Sequence, residues 1–227
     1  MTGKVGLSVD THPAKPPPAT TLTGRTVRLE KLDPRHTDDL YESIGRPELS
    51  AIWTYIPSGP FQDKETFTAF IEQLSKSPDP YLYALVDVPS NKAVGFLSLM
   101  RIDQRNRVIE IGFVVFSPLL QRTTAATEAF YLLAKAVFED LGYRRFEWKC
   151  DSLNQPSRNA AARFGFTAEG VFRQHMIMKG RNRDTAWFSM LDSEWPTVRE
   201  SFEKWLKVEN FDADGKQIAT LVALRGH

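Results

Sequence analysis

The feature that most constrains the fold is a strand, a long helix and a second strand, which follow one another between residues 108 and 151. Val108–Phe116 is mostly apolar, and Thr124–Leu141 carries one apolar stripe that includes Phe130 and Val137. Arg145–Asp151 then alternates strictly between charged and apolar residues. The sequence therefore predicts a β-α-β crossover with two parallel strands, which should be right-handed.

Short connections organise the rest of the predicted sheet. Strand-like runs at 81–86, 93–101 and 108–116 are separated only by turns around 89–91 and 103–106. Connections of this length join antiparallel neighbours. A last hairpin is predicted over 166–191. The expected fold class is α/β (α+β), with a mixed, mostly antiparallel sheet of six or seven strands flanked by helices.

The ends of the chain differ from this central part. Residues 1–23 are rich in proline and predict a tail, either a strap lying on the domain or a mobile arm. Residues 24–206 are expected to form the domain and 207–227 a C-terminal extension. Within the extension, Ile218–Leu224 is a candidate for an extra strand.

Composition excludes several classes of partner. The chain has 29 Lys and Arg against 28 Asp and Glu, so its net charge of +1 does not favour nucleic acid or an anionic membrane. Cys150 is the only cysteine, so no intramolecular disulfide can form. We find no signal-peptide pattern, membrane-spanning run or metal-ligand spacing. A cytoplasmic protein without metal is expected.

Glu110 is a carboxylate inside an apolar strand. Strict alternation would place Ile109, Ile111, Phe113 and Val115 on one apolar face and leave Glu110 on the other, two positions before a glycine. One interpretation is a paired or edge-exposed glutamate. The other is a desolvated general base, because burial makes a carboxylate a better proton acceptor.

The loop between the strand and the long helix predicts an anion site. The first N–H groups of a helix are unpaired and its dipole favours negative charge, and Arg122 and three threonines add donors. The alternative is an ordinary helix start capped by Thr123 or Thr124.

In order and spacing, these segments resemble the GCN5-related N-acetyltransferase (GNAT) superfamily, and within it the branch of ribosomal-protein N-terminal acetyltransferases. The resemblance covers about Gly24–Trp205. Residues 110–113 (Glu-Ile-Gly-Phe) are similar to the family's Glu-Ile-Gly-aromatic strand, and 121–126 (Gln-Arg-Thr-Thr-Ala-Ala) to its pyrophosphate loop. Residues 154–157 (Asn-Gln-Pro-Ser), followed by Phe-Gly-Phe at 164–166, are similar to its Asn-x-x-Ser … Gly-Phe segment. Thr124 stands where the family usually has glycine.

The resemblance implies transfer of an acetyl group from acetyl-coenzyme A to an amine, either a small molecule or a protein N-terminus. Glu110 would remove a proton from the acceptor, and Ser157 would return one to the sulfur. A backbone N–H near Phe116 would stabilise the developing negative charge. The residues expected to bind the cosubstrate are Phe116, Gln121, Arg122, Thr123, Thr124, Ala125, Ala126, Asn154 and Ser157.

Alternatives remain at this point. Asn154 is also a favoured helix cap. Trp53 and Tyr55, in an aromatic loop, are candidates for contacting the acceptor or for core packing. His175 is a second acid-base candidate or a structural histidine. The basic cluster at 179–183 is interpreted as a solvated turn, with attraction of an acidic acceptor as the alternative. A non-catalytic acyl-coenzyme A sensor with the same fold is the alternative function. Monomer and homodimer both remain open.

Overall fold

A single sheet forms the centre of the computed structural model, which describes residues 5–18 and 20–226. Its strands are β1 (Leu22–Thr23), β2 (Val27–Lys31), β3 (Tyr81–Asp87), β4 (Lys92–Asp103), β5 (Val108–Phe116), β6 (Arg145–Asp151), β7 (Thr167–Met178) and β8 (Arg181–Leu191). Their spatial order is β1-β2-β3-β4-β5-β6-β8-β7. Only β5 and β6 run parallel; every other neighbouring pair is antiparallel.

The predicted fold class is confirmed, although the sheet has eight strands and not six or seven. The additional strand is β1, a two-residue segment that pairs with β2. It lies inside the predicted tail, where a run this short carries no periodicity that a sequence pattern could reveal.

Helices cover both faces of the sheet. They are α1 (Thr37–Leu40), α2 (Lys64–Ser75), α3 (Thr124–Lys135), α4 (Gln155–Phe164), α5 (Trp195–Trp205) and α6 (Leu221–Arg225). Turns of π-helix extend α1 over Tyr41–Gly45 and α3 over Ala136–Asp140, and 3₁₀ turns lie at Pro34–His36, Pro47–Trp53 and Val208–Asn210. Within the described ranges, no helix has both the length and the apolar character needed to cross a bilayer.

The candidate strand at 218–224 is wrong, because Thr220 begins a helix there. Its side chain accepts a hydrogen bond from the N–H of Ala223 at 3.1 Å, which is the usual geometry of an N-cap.

Each face of the sheet has its own apolar core. On the α1 and α2 side, Trp53, Phe67 and Phe96 are fully buried. On the other face α3 packs its apolar stripe on the sheet, and the Phe130 and Phe164 rings stack with centroids 4.4 Å apart. The sheet therefore lies between the two cores.

A bulge in β5 reverses which residues face which core. Phe113 adopts φ 51°, in the left-handed region, and the pairing with β4 shifts between Ser98↔Gly112 and Phe96↔Val115. Ile111 therefore packs on the α3 side, whereas Val115 packs on the α1 and α2 side. The single apolar face predicted from strict alternation is thus wrong beyond Ile111, because a bulge adds a residue to one strand only.

The same bulge ends the pairing between β5 and β6. These strands pair from Val108↔Arg145 to Ile111↔Trp148, and β5 then continues to Phe116 without a partner on that side. β6 stays paired with β8 as far as Asp151. The two strands therefore splay apart and open a cleft in the sheet.

Segments near both ends of the described ranges are hydrogen-bonded to the domain. Ala14 and Lys15 donate their N–H groups to the carbonyls of Gln104 and Leu141, each at 2.9 Å, so residues near position 14 lie along the domain as a strap. At the other end, the Arg225 side chain donates to the carbonyls of Arg163 and Ala162, each at 3.2 Å, and so binds the end of α4.

Two glycines test how tightly β4 and the bulge fit. A Cβ at Gly95 would lie 2.6 Å from the carbonyl oxygen of Val115, whereas at Gly112 the close contact is the flexible Met100 side chain. We expect Gly95→Ala to lower the free energy of unfolding by about 1–3 kcal/mol, the usual range for overpacking. Gly112→Ala should cost clearly less, because Met100 can change rotamer. Urea denaturation measures both, and equal losses would contradict the proposed fit.

Candidate active site

A cavity of about 1450 Å³ follows the cleft between β5 and β6. Its lining includes Tyr55, Met100 and Glu110, and also the loop before α3. Arg163 and Lys216 line it as well, and Arg163 contacts the first turn of α3 through Thr127. One continuous space therefore joins the carboxylate in β5 to the N-terminus of α3.

Glu110 is buried and bound by two cations. Its Oε2 accepts hydrogen bonds from Lys149 Nζ at 2.7 Å and from Arg101 Nη1 at 2.8 Å. Lys149 also donates to Glu147 Oε2 at 2.6 Å, and its side chain is only 4% exposed. Glu110 is therefore paired, as the first interpretation of the sequence had it. The same side chain also lines the cavity.

The parallel register explains why a lysine is needed here. Glu110 lies directly beside Glu147 on the neighbouring strand, so two buried carboxylates would repel each other without a cation between them. Burial raises the pKa of Glu147, but hydrogen bonds from Lys149 and Arg145 outweigh it and hold that pKa below its usual value. A chain of alternating charges results, which runs through Arg101, Glu110, Lys149, Glu147, Arg145 and Glu169.

The second oxygen of Glu110 remains available. Among the described residues, none donates a hydrogen bond to Oε1. The Met100 side chain, and not a residue that donates a hydrogen bond, fills the space beside Gly112, 3.7 Å from this oxygen at the position of a Gly112 Cβ. Because Glu110 lines the cavity, its Oε1 can accept one more donor from there.

The loop before α3 presents unused backbone donors. Thr123 caps the helix, because its Oγ1 accepts from the N–H of Ala126 at 3.2 Å. The N–H groups of Arg122, Thr124 and Ala125 find no acceptor in the part of the chain that the structure describes. Gln121 donates its side-chain amide to the carbonyl of Phe116 at 2.8 Å, which fixes the loop against β5. The cap is confirmed. The unpaired N–H groups suit the predicted anion site, which stays a prediction.

Asn154 and Ser157 line the cavity and also take part in hydrogen bonds that stabilise the fold. Asn154 Oδ1 accepts from the N–H of Ser157 at 3.2 Å and caps α4, and both residues line the cavity. Ser157 Oγ accepts from Trp148 Nε1 at 3.0 Å. Burial raises the pKa of the neighbouring Cys150 thiol, which suits packing and not nucleophilic chemistry.

Comparison with known proteins gives the family of this chain. The model of the acetyltransferase (GNAT) domain matches residues 26–167. This chain belongs to the GNAT acetyltransferase family. It is therefore an acetyl-coenzyme A-dependent N-acetyltransferase, which moves an acetyl group to an amine, as the sequence predicted.

Individual relatives agree with the family match. The crystal structure of a GCN5-related N-acetyltransferase from Brucella melitensis has 46% sequence identity and a TM-score of 0.93, over 95% of this chain and 98% of that one. The uncharacterized N-acetyltransferase p20 of Bacillus licheniformis is 25% identical over 77% of this chain and 98% of p20. YdaF of Bacillus subtilis (strain 168), named as a candidate ribosomal N-acetyltransferase, is 32% identical over 44% of this chain and 55% of YdaF. The predicted resemblance to the GNAT superfamily is confirmed.

Two predicted site residues lie outside the cavity of this GNAT chain. Trp53 is 1% exposed, donates its Nε1 to the carbonyl of Ile44 at 2.8 Å and packs in the α1 and α2 core, so its prediction as an acceptor contact is wrong. Ala125 turns its side chain into the α3 core and offers only its N–H group. Tyr55 does line the cavity. His175, the second acid-base candidate, is exposed on the edge strand β7 and does not line the cavity.

Sequence reasoning missed the cations of the site. Lys149 belongs to the charged side of β6, a pattern that usually indicates a solvated face but is buried here. Arg183 falls in the basic cluster interpreted as a solvated turn, yet it lines the cavity, and burial lowers the pKa of its guanidinium. Only the strand register, which the sequence does not encode locally, brings these residues to Glu110.

Lys149 provides a direct test of the charge network. We expect Lys149→Met to lower the free energy of unfolding by about 3–5 kcal/mol at neutral pH, because it leaves two buried carboxylates facing each other. Adding Glu147→Gln should recover part of that loss. Urea denaturation measures both variants.

The matched control is Lys64→Met. Its ion pair with Asp38 is exposed, at 53% and 82% of the two side chains, so almost no change is expected. An equally small effect of Lys149→Met would contradict the role given to the network.

Proposed function

We propose that the cleft between β5 and β6 holds acetyl-coenzyme A and that Glu110 accepts the proton of the amine. One observation carries this proposal: Glu110 and the unpaired N–H groups before α3 open on the same cavity. Transfer of an acetyl group from a phosphate-bearing donor to an amine needs a site for the phosphates and an acceptor for the amine's proton. The helix start can bind the phosphates, and the buried carboxylate in the same cleft can accept the proton.

The residues present fit the phosphates of coenzyme A. The N–H groups of Arg122, Thr124 and Ala125, together with the positive end of the α3 dipole, would bind the pyrophosphate. Thr124 lines the cavity here, and its hydroxyl adds a further donor. The open edge of β5 from Gly112 to Phe116 offers backbone groups to the pantetheine arm, with Asn154 on the opposite side.

The proton path follows from the hydrogen bonds of Glu110. Arg101 and Lys149 occupy Oε2, which orients the carboxylate and leaves Oε1 for the acceptor ammonium or for a water molecule next to it. Acetyl-coenzyme A supplies the acetyl group as a thioester, and the free amine attacks it.

Ser157 is the proposed proton donor to the sulfur. Its Oγ already accepts from Trp148 Nε1, so its own hydrogen is directed elsewhere. A hydroxyl held in this way can donate to the leaving thiolate. The backbone N–H groups near Phe116 would stabilise negative charge on the carbonyl oxygen.

A panel of amines and peptides tests the function. Purified protein is mixed with acetyl-coenzyme A and each acceptor, and thiol release is followed. We expect release with at least one class of amine, either small molecules or peptide N-termini. Coenzyme A binding without release across the whole panel would favour the acyl-coenzyme A sensor instead.

Glu110→Gln tests the proposed base. It keeps the shape of the side chain but removes the proton acceptor, so turnover should fall by about 10²–10⁴-fold. Binding of acetyl-coenzyme A, followed by calorimetry, should barely change. The loss should be largest near neutral pH and smaller at high pH, where amines are already deprotonated.

Glu147→Gln is the matched control, because Glu147 binds the same lysine but does not line the cavity. Its turnover should stay within several-fold of the wild type. Full activity in a stable Glu110→Gln protein would remove Glu110 from the mechanism.

A further inference from the structure

One wall of the cavity is built by residues that follow the matched family domain. Trp205, Phe211, Lys216 and Gln217 line this wall, whereas the family match ends at residue 167. These side chains have no part in the proton path. The wall is therefore a contribution of the C-terminal segment to the site.

A buried asparagine anchors this segment. Asn210 Nδ2 donates to the carbonyls of Trp205 at 3.1 Å and Ala219 at 3.2 Å, and its Oδ1 accepts from the N–H of Ala219 at 2.9 Å. Phe211 and Gln217 form a bridge pair that closes a short loop, and Gln217 Oε1 accepts from Trp205 Nε1 at 2.8 Å. These hydrogen bonds hold the loop between Phe211 and Gln217 beside the cavity.

Two cations line this end of the cavity. The Arg163 guanidinium lies 5.1 Å from the centroid of the Trp205 ring and donates to Thr127 Oγ1 at 3.1 Å. Neither Arg163 nor Lys216 forms an ion pair with a carboxylate of the described ranges.

The acidic residues of the loop do not neutralise this end. Asp212 Oδ1 accepts from the N–H groups of Asp214 at 3.1 Å and Lys216 at 2.8 Å, and neither aspartate lines the cavity. An unpaired guanidinium and an ammonium beside aromatic surface are suited to binding a phosphate group attached to a nucleoside.

We propose that this end of the cavity binds the 3′-phosphate of coenzyme A, with Lys216 and Arg163 as its cations and Phe211 beside the nucleoside. The inference rests on the proposed function: if the pyrophosphate lies at the start of α3 and the thioester near Glu110, the adenosine must extend the other way. Arg163 and Lys216 line the cavity, and Arg163 contacts the first turn of α3 through Thr127.

Calorimetric titration with coenzyme A and with dephospho-coenzyme A, which lacks only the 3′-phosphate, tests the proposal. The wild type should bind coenzyme A about tenfold more tightly, since two partly exposed charge pairs are lost with the phosphate. Lys216→Gln should weaken coenzyme A binding about three- to fivefold and leave dephospho-coenzyme A unchanged. The difference between the two ligands should shrink as salt is added.

Lys207→Gln is the control, because Lys207 is an exposed lysine of the same segment that does not line the cavity. It should change neither affinity. Equal binding of both ligands by the wild type would overturn this inference and leave the proposed function standing. An equal loss for both ligands in Lys216→Gln would also overturn it, whereas binding of neither ligand would overturn the proposed function itself.

Discussion

The bulge at Phe113 is the constraint on which the rest of the site depends. A regular β5 would remain paired with β6 as far as Val114, which the register sets opposite Asp151 at the end of β6, and would leave no cleft. Because one residue adopts a left-handed conformation, the strand changes face, and its last residues lose their partner on one side. Backbone groups left unpaired in this way need another partner, and a ligand in the cleft can supply it.

The charge network is the second requirement. The parallel register sets Glu110 beside Glu147, and Lys149 lies between them with almost no exposed surface. The lysine also lies 3.9 Å from the centroid of the Trp187 ring, which fixes it from the β8 side. Lys149 thus offsets the cost of burying the Glu110 carboxylate next to the cleft, and it leaves Oε1 of that carboxylate without a partner among the described residues.

Much of this architecture could be predicted from local patterns. Periodicity predicts the crossover and the antiparallel strands before it. Residues such as Thr123 predict the helix starts, because a cap acts on the residues next to it. The bulge could not be predicted, since Phe113 fits either face of a strand. The burial of Lys149 and the approach of Lys216 to the cavity also depend on contacts between segments distant in sequence. The prediction of Trp53 as an acceptor contact is wrong because an aromatic residue suits a pocket and a core equally well.

The central claim is that coenzyme A lies in the cleft opened by the bulge, and a crystal structure of the complex with coenzyme A tests it most directly. The account predicts pyrophosphate oxygens about 2.7–3.2 Å from the backbone nitrogens of Arg122, Thr124 and Ala125. It also predicts the pantetheine arm between β5 and β6, beyond the Ile111↔Trp148 pair. A pyrophosphate bound elsewhere, or a β5–β6 ladder that continues past the Ile111↔Trp148 pair and closes the cleft, would contradict it.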